Sequence, residues 1–350
     1  MCRKNILKYL GTAGVAVVLF ITHLAAADTY DVERTNPINI LFDSKGTQTL
    51  INNSTNTPTL ATNSRLATIL AALSNYGQNS SNTVNGITNV DTSFPKYIIS
   101  YTSNNEITDE LLANKDVYIS LTRGPSVTNS EGTTNAYTTN ELIALKKFVE
   151  VDGKGILLHA NHGPNKKYPK VYDDDYTYNN ISLATNFNIE LRPYIVFGKK
   201  ENGYMKMSVN TNSTGQELEF ISHQALTIAS HDSCIIVPHT NYISIAKFPT
   251  DALIAKYKGT NNPVPQQLLR KSSESRYTDF AILVHAGKGR VIIVGNSGMI
   301  ADYGSPSPSF GLVPMQSNLM FFLNCVSYLA GIVNIPPAGE GPGYPGKIIP

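Results

Sequence analysis

The chain has 350 residues, with 28 Lys and Arg against 26 Asp and Glu, 41% hydrophobic and 15% charged residues, no Trp and three Cys. The formal charge of +2 provides no basic excess for a polyanion, so nucleic acid and anionic membrane surfaces are not expected partners. Length and apolar content suffice for one large domain or two small ones.

The first segment reads as a targeting signal. Arg3, Lys4 and Lys8 precede an apolar run from Gly11 to Leu24, and Ala25-Ala26-Ala27 offers the small-residue pattern that signal peptidase cleaves. The run falls short of the roughly 20 apolar residues that a membrane span needs, and Thr22 and His23 interrupt it. Cleavage after Ala27 is expected, giving a periplasmic or secreted protein with no remaining span. An uncleaved anchor is the alternative. Removing residues 1–27 takes away three basic residues and no acid, so the mature charge is −1.

Residues 28–36 read as a linker, 37–333 as one α/β domain and 334–350 as an extended tail rich in Pro and Gly. Ile38–Asp43, I-N-I-L-F-D, predicts a buried strand ending in an acid. After a polar loop, Ser64–Tyr76 predicts a helix with Leu66, Ile69, Leu70 and Leu73 in one stripe. A second polar loop leads to a strand at Tyr97–Tyr101, a short helix at Asp109–Ala113 and a buried strand at Asp116–Leu121, followed by the turn Arg123-Gly124-Pro125.

Thr138-x-x-Glu141 is a capping box. The helix it opens carries Leu142, Ile143, Leu145, Phe148 and Val149, and Asp152-Gly153 closes it. Gly155–His159, G-I-L-L-H, predicts the next strand. A mixed middle follows, with a helix beginning near Ile181–Phe187 and strands at Tyr204–Val209, Cys234–Val237, Ile243–Phe248 and Leu253–Tyr257. Phe280–His285 and Arg290–Gly295 predict a hairpin around Gly287-Lys288-Gly289. Ser317–Leu329 predicts a last helix with Leu319, Phe322, Leu323, Val326 and Leu329 on one face. This order predicts an α/β fold. Its sheet is mainly parallel (flavodoxin/Rossmann-like) with helices on both faces, a β-rich insertion and a late β-hairpin.

Four blocks together resemble the class I glutamine amidotransferase-like superfamily. They are I-N-I-L-F-D, T-x-x-E-L-x-A-L-K-K-F-V-E-x-D-G-K-G-I-L-L-H, A-G-K-G-R-V-I-I-V-G-N-S-G-M-I-A-D and N-L-M-F-F-L-N-C-V-S-Y-L-A-G. The branch they resemble is the non-catalytic one of bacterial envelope proteins and of domains in gliding-motility and intraflagellar-transport proteins. The match runs from about Pro37 to Val333. Asp152-Gly153-Lys154-Gly155 stands where that branch has a glycine run, Asn296-Ser297 where it has Asp-Ser, and Tyr328-Leu329 where it has Trp-Leu.

Catalytic members place a Cys on the turn after the strand that corresponds to Gly155–His159, activated by a His-Glu pair. Here that turn reads His159-Ala160-Asn161-His162-Gly163, without Cys or Ser. The resemblance therefore implies a pseudoenzyme. Its candidate pocket is formed by strand ends: Asp43, His159, Asn161, His162, Asn296, Ser297 and Asp302.

Other features have plainer readings. Asp173-Asp174-Asp175 lacks EF-hand spacing and reads as a solvated loop. His223, His231 and His239 match no zinc spacing, and no metal or other cofactor is expected. Gly287-x-Gly289 precedes a strand and is no phosphate loop. Cys234 and Cys325 are open to two readings, a disulfide or two buried thiols. The expected function is a binding or scaffold domain for a glycan, a peptide or an envelope protein. The alternative is a hydrolase acting on a carbohydrate or amide through His162 and Asp43, with or without a metal.

Overall fold

Strand β1 (Ile38–Asp43) is buried along nearly its whole length, as an apolar run in a parallel sheet must be. The computed structural model describes residues 37–45, 66–75, 81–84, 87–90, 97–102, 105–121, 123, 136–160, 177–198, 204–211, 216–256, 267–271, 278–301 and 317–331. β1 pairs in parallel with β4 (Tyr97–Tyr101) on one side and β5 (Val117–Ser120) on the other. The parallel run continues through β6 (Gly155–His159) to β15 (Gly289–Val294). β14 (Asp279–Ala286) and β11 (Ile243–Lys247) then add antiparallel, completing a seven-stranded mixed sheet in the order β11-β14-β15-β6-β5-β1-β4. The chain leaves β1 for β4 on one flank and then crosses to β5 on the other, so strand order reverses at β1/β5.

Alternation along these strands feeds two cores. Ile38, Ile40, Phe42, Val117, Ile119 and Leu157 join one, together with Leu66, Ile69, Leu70 and Leu73 of helix α1 (Ala67–Asn75) and its preceding residue. Phe321, Phe322 and Val326 of helix α6 (Asn318–Leu329) complete that core. Leu41, Tyr118, Ile156 and Leu158 join the other, with Leu145, Phe148 and Val149 of helix α3 (Thr139–Glu150) and Leu183 of α4 (Thr177–Thr185). Burying each such side chain is worth roughly 1.5–3 kcal/mol.

The short helix α2 (Asp109–Leu112) is capped by Thr108. At α3 the capping box forms as expected, with Thr138 on the Glu141 N–H and Glu141 back on the Thr138 N–H. Ile143, expected in the apolar stripe, is 62% exposed, and Ala144 takes the inward position. In α6 burial is not confined to one face. Every residue from Phe321 to Leu329 is buried, as an apolar helix between sheet and insertion requires.

The insertion is richer in strands than the sequence suggested. β7 (Ile189–Phe197), β10 (Asp232–Pro238), β12 (Leu253–Lys256) and β13 (Gln267–Lys271) form an antiparallel sheet in the order β10-β7-β12-β13. β8 (Met205–Ser208) pairs with β9 (Thr227–Ser230), and β2 (Ser81–Val84) with β3 (Ile87–Val90). Helix α5 (Gln216–Ser222) was not anticipated, and α4 starts at Thr177, before Ile181.

Pro193 lies inside β7 and has no N–H for a ladder. β7 bulges there, residues 193–195 standing opposite Cys234 alone between the pairs Arg192–Ile235 and Val196–Ser233, and β12 pairs only from Tyr194 onward. Cys234, opposite the bulge, instead donates its N–H to Gly295 O (3.2 Å), which ties the insertion to the end of β15. Gly295 permits this approach, because a Cβ there would lie 1.9 Å from Ser233 Oγ.

Cys234 and Cys325 are both free and buried, one in each core. The disulfide reading gives way to two separated thiols, and burial pushes that of Cys234 up to about 12. Among the described residues no helix is long and apolar enough to cross a membrane.

Candidate functional site at the carboxyl edge of the parallel strands

The connections leaving the carboxyl ends of the parallel strands are long: residues 44–66 after β1, 121–138 after β5, 160–176 after β6 and 295–317 after β15. At the opposite edge residues 113–116 before β5, 151–154 before β6 and Gly287-Lys288 in the hairpin are short, whereas residues 76–96 before β4 are long and include the β2–β3 hairpin. Most connections have about 4–6 residues, and longer ones concentrate binding residues. Open α/β sheets take ligands outside the carboxyl ends, where strand order reverses.

At that reversal sits a buried ionic network. Asp43 ends β1 with no exposure, pointing to the α3 side by the alternation that sends Leu41 there. Its Oδ2 accepts from Arg123 Nε (2.6 Å), Tyr118 OH (2.6 Å) and Tyr137 OH (2.9 Å). Its Oδ1 accepts from Thr102 Oγ1 (3.2 Å) and the Lys45 N–H (3.1 Å). Arg123, also fully buried, reaches past Asp43 to grip Glu141 with both terminal nitrogens (3.0 and 3.2 Å), and lies 3.6 Å from the Tyr137 ring centroid. Glu141 further accepts from the N–H groups of Thr138 (2.9 Å) and Ile107 (3.3 Å) and from Lys45 Nζ (3.4 Å).

Two carboxylates and two cations thus balance in charge. They tie the ends of β4, β1 and β5 to the first turn of α3. Burial alone would raise the Glu141 carboxyl, but the Arg123 hydrogen bonds and charge outweigh it and hold the group below its usual range. Burial and the Asp43 charge push the Tyr118 hydroxyl well up, so it remains a donor. With five donors on Asp43, this network braces the edge and offers no lone pair for proton transfer.

A second group lies at the ends of β6 and β15. His159 is buried and projects to the other face, its ring centroid 6.1 Å from that of Phe322. Nδ1 lies 3.3 Å from Asn296 O. A carbonyl only accepts, so Nδ1 carries the proton and Nε2 holds a lone pair. Burial lowers the His159 pKa to about 4, so the ring is neutral at pH 7. Asn296 in turn donates through Nδ2 to Asp232 Oδ1. From α4, Asn180 Nδ2 donates to both Leu121 O (3.3 Å) and His159 O (3.1 Å), bridging the ends of β5 and β6. Among the described residues, His159 Nε2 and Asn180 Oδ1 are buried with no hydrogen-bond partner.

Of the expected pocket residues, the structure joins His159 and Asn296. Ser297 is buried at the start of a 3-10 turn, Gly298–Ile300. Asp43 stands apart. β5 lies between β1 and β6, so their ends are about 10 Å apart at the usual strand spacing, and Asp43 and His159 point to opposite faces. Asn161, His162 and Asp302 lie outside the described residues. Arg123, Tyr118, Tyr137, Glu141 and Asn180 were not anticipated as site residues. A lone Arg directly after an apolar strand, in a chain this poor in charge, was the available signal. Among the described residues no group of three His, Cys, Asp or Glu is placed to hold a metal ion.

No family model matches the chain, and no curated protein matches it. Among solved structures, the chain is similar to the mmIFT52 N-terminal domain, with a TM-score of 0.46 and 14% identity over 83% of this chain and 96% of that one. It is also similar to the cytoplasmic protein STM1381 from Salmonella typhimurium LT2, with a TM-score of 0.46 and 12% identity over 83% and 99% of the two chains. A third similarity is to the beta-galactosidase from Bacillus circulans sp. alkalophilus, with a TM-score of 0.40 and 12% identity over 85% of this chain and 31% of that one.

Proposed function

We propose that the chain is an exported, non-catalytic binding or scaffold domain of the glutamine amidotransferase-like fold, doubly wound with helices on both sheet faces. Its ligand, a glycan, peptide or envelope protein, docks at the carboxyl edge of the parallel strands. The observation that carries this reading is the set of long connections leaving the carboxyl ends of β1, β5, β6 and β15 beside the point where strand order reverses. The saturated Asp43 carboxylate supports a framework role for this residue. It also weighs against the hydrolase alternative through Asp43 and His162, because a general base needs an open lone pair within reach of the substrate.

The test uses protein beginning at Asp28. Calorimetry against neutral oligosaccharides and envelope-derived peptides is expected to show saturable binding, with no turnover of chromogenic glycosides or glutamine. Turnover abolished by His162→Ala would replace the binding reading with the hydrolase. Binding to neither ligand class would sink both.

A further inference from the structure

We propose that β4 is a self-association edge, pairing antiparallel with β4 of a second copy about Ile99, so that two seven-stranded sheets join into one across a two-fold axis. The two edges of this sheet are built differently. β11 is closed to a further strand. Its register with β14 shifts twice, Val209 bridges to Ala246, and Asn210 donates to Ile245 O (2.7 Å) and Ser244 O (3.2 Å). Bulges and covering segments are the usual devices that keep a sheet edge from pairing. Among the described residues β4 has neither. It ends the strand order, and its register with β1 runs unbroken from Tyr97 to Tyr101. The strand, Y-I-I-S-Y, holds no charge and no Pro.

Thr102 donates its N–H to Phe42 O, toward β1. Backbone groups alternate sides along a strand, so those of Ser100 and Ile98 also turn to β1, and those of Ile99 and Tyr101 turn outward. Such a row of outward N–H and C=O groups is a template for another strand. The Ile98 side chain is 42% exposed, and Ile99 and Tyr101 are only partly buried against the core.

The strand itself selects the occupant. Read in reverse, Y-I-I-S-Y changes only by the exchange of Ile98 and Ser100. Paired antiparallel about Ile99, the two copies of Ile99 exchange both backbone hydrogen bonds. Tyr97 then stands opposite Tyr101, and Ile98 opposite Ser100. Aromatic and β-branched pairs suit such a seam, and no like charges meet across it. A foreign peptide would pair through backbone alone, whereas a second copy also matches side chains on both faces. The contact is isologous and closes at two copies, because β11 offers no second edge. The carboxyl edges of the two copies then face opposite directions.

The test is sedimentation velocity of the exported protein over a concentration series, with amide exchange of 15N-labelled protein followed by NMR in parallel. A reversible dimer is expected. It is weak, because one five-residue strand pair covers less than the roughly 1,200 Å² of a small stable interface. Protection of the Ile99 amide should rise with the dimer fraction, while that of Ile98, already turned to β1, should not change. Ile98→Lys brings like charges together across the axis and should weaken association about tenfold or more. Ile143→Lys, on the exposed face of α3, should leave it unchanged. Thermal melts identify a variant that fails to fold, and the exchange data of the parent stand without it.

A protein monomeric across the series would overturn the proposal. So would a dimer whose Ile99 amide stays unprotected, growth beyond two copies, or an Ile99 amide already protected in the monomer. Protection gained only when an envelope-derived peptide is added would overturn the second copy as occupant and assign the edge to a peptide.

Discussion

Replacing Arg123 with Met tests the buried network most directly. Met fills similar space but leaves Asp43 and Glu141, both without exposure, with Lys45 as the remaining cation, 3.4 Å from Glu141. Three charge-assisted hydrogen bonds vanish, one to Asp43 and two to Glu141. Breaking a buried ion pair from one side costs about 3–5 kcal/mol, because an uncompensated charge stays behind. That is a large share of the roughly 5–15 kcal/mol stability of a typical domain.

The pH dependence adds a second readout. In the parent the Glu141 carboxyl is held below its usual 4.5. Its contribution is therefore fully present above pH 4.5 and is lost as pH falls through the lowered folded value. In the variant, burial without the guanidinium pushes the same carboxyl up, so the folded form takes up protons more readily than the unfolded chain. The gap between parent and variant is then expected to shrink from pH 7 to pH 5. Urea melts at both pH values, with slopes compared, measure it. A loss under 1 kcal/mol, or a gap independent of pH, would refute the reasoning. The triple variant Arg123→Met, Asp43→Asn, Glu141→Gln should regain part of the loss, since no bare charge is left.

Three further outcomes are expected. Thr138→Ala removes the cap on the Glu141 N–H and a hydrogen bond to Glu106, and should lower stability by about 1 kcal/mol in the same melts. Gly287→Ala puts a Cβ 2.4 Å from Glu150 O at a φ of +57°; backbone strain and overlap together should cost about 2–4 kcal/mol, whereas the neighbouring Lys288→Ala should be near neutral. Folded protein should leave Cys234 and Cys325 unmodified by a thiol reagent, and denaturant should release both without a reductant; a single thiol or none would contradict the two separated cores.

The parallel sheet was legible because its strands are short apolar runs between helices with plain end signals. Thr138 and Glu141 fixed the start of α3 by local hydrogen bonds, and that start is where the structure has it. β7 was missed because Pro193 reads as a strand breaker. It survives there because β7 bulges away from β10 at that point and β12 begins pairing one residue later. β2 and β3 were passed over within a polar stretch, although Asn85-Gly86 between them is a strong hairpin signal. Ile143 was placed inward from an apolar count that does not say which way the helix turns its stripe.

The same division holds for the site. The amino-acid sequence by itself determined that Asp43 and His159 close strands and that the turn after β6 holds no Cys or Ser. It also determined that Glu141 would cap α3, since these are matters of local order and period. Only the tertiary structure decided that Asp43 and His159 face opposite sides of the sheet. It also decided that Arg123, 80 residues from Asp43 in sequence, would fill the space between Asp43 and Glu141. The reason is that strand alternation assigns a side, but strand order and long-range packing assign the neighbour. A buried charge takes its role from that neighbour.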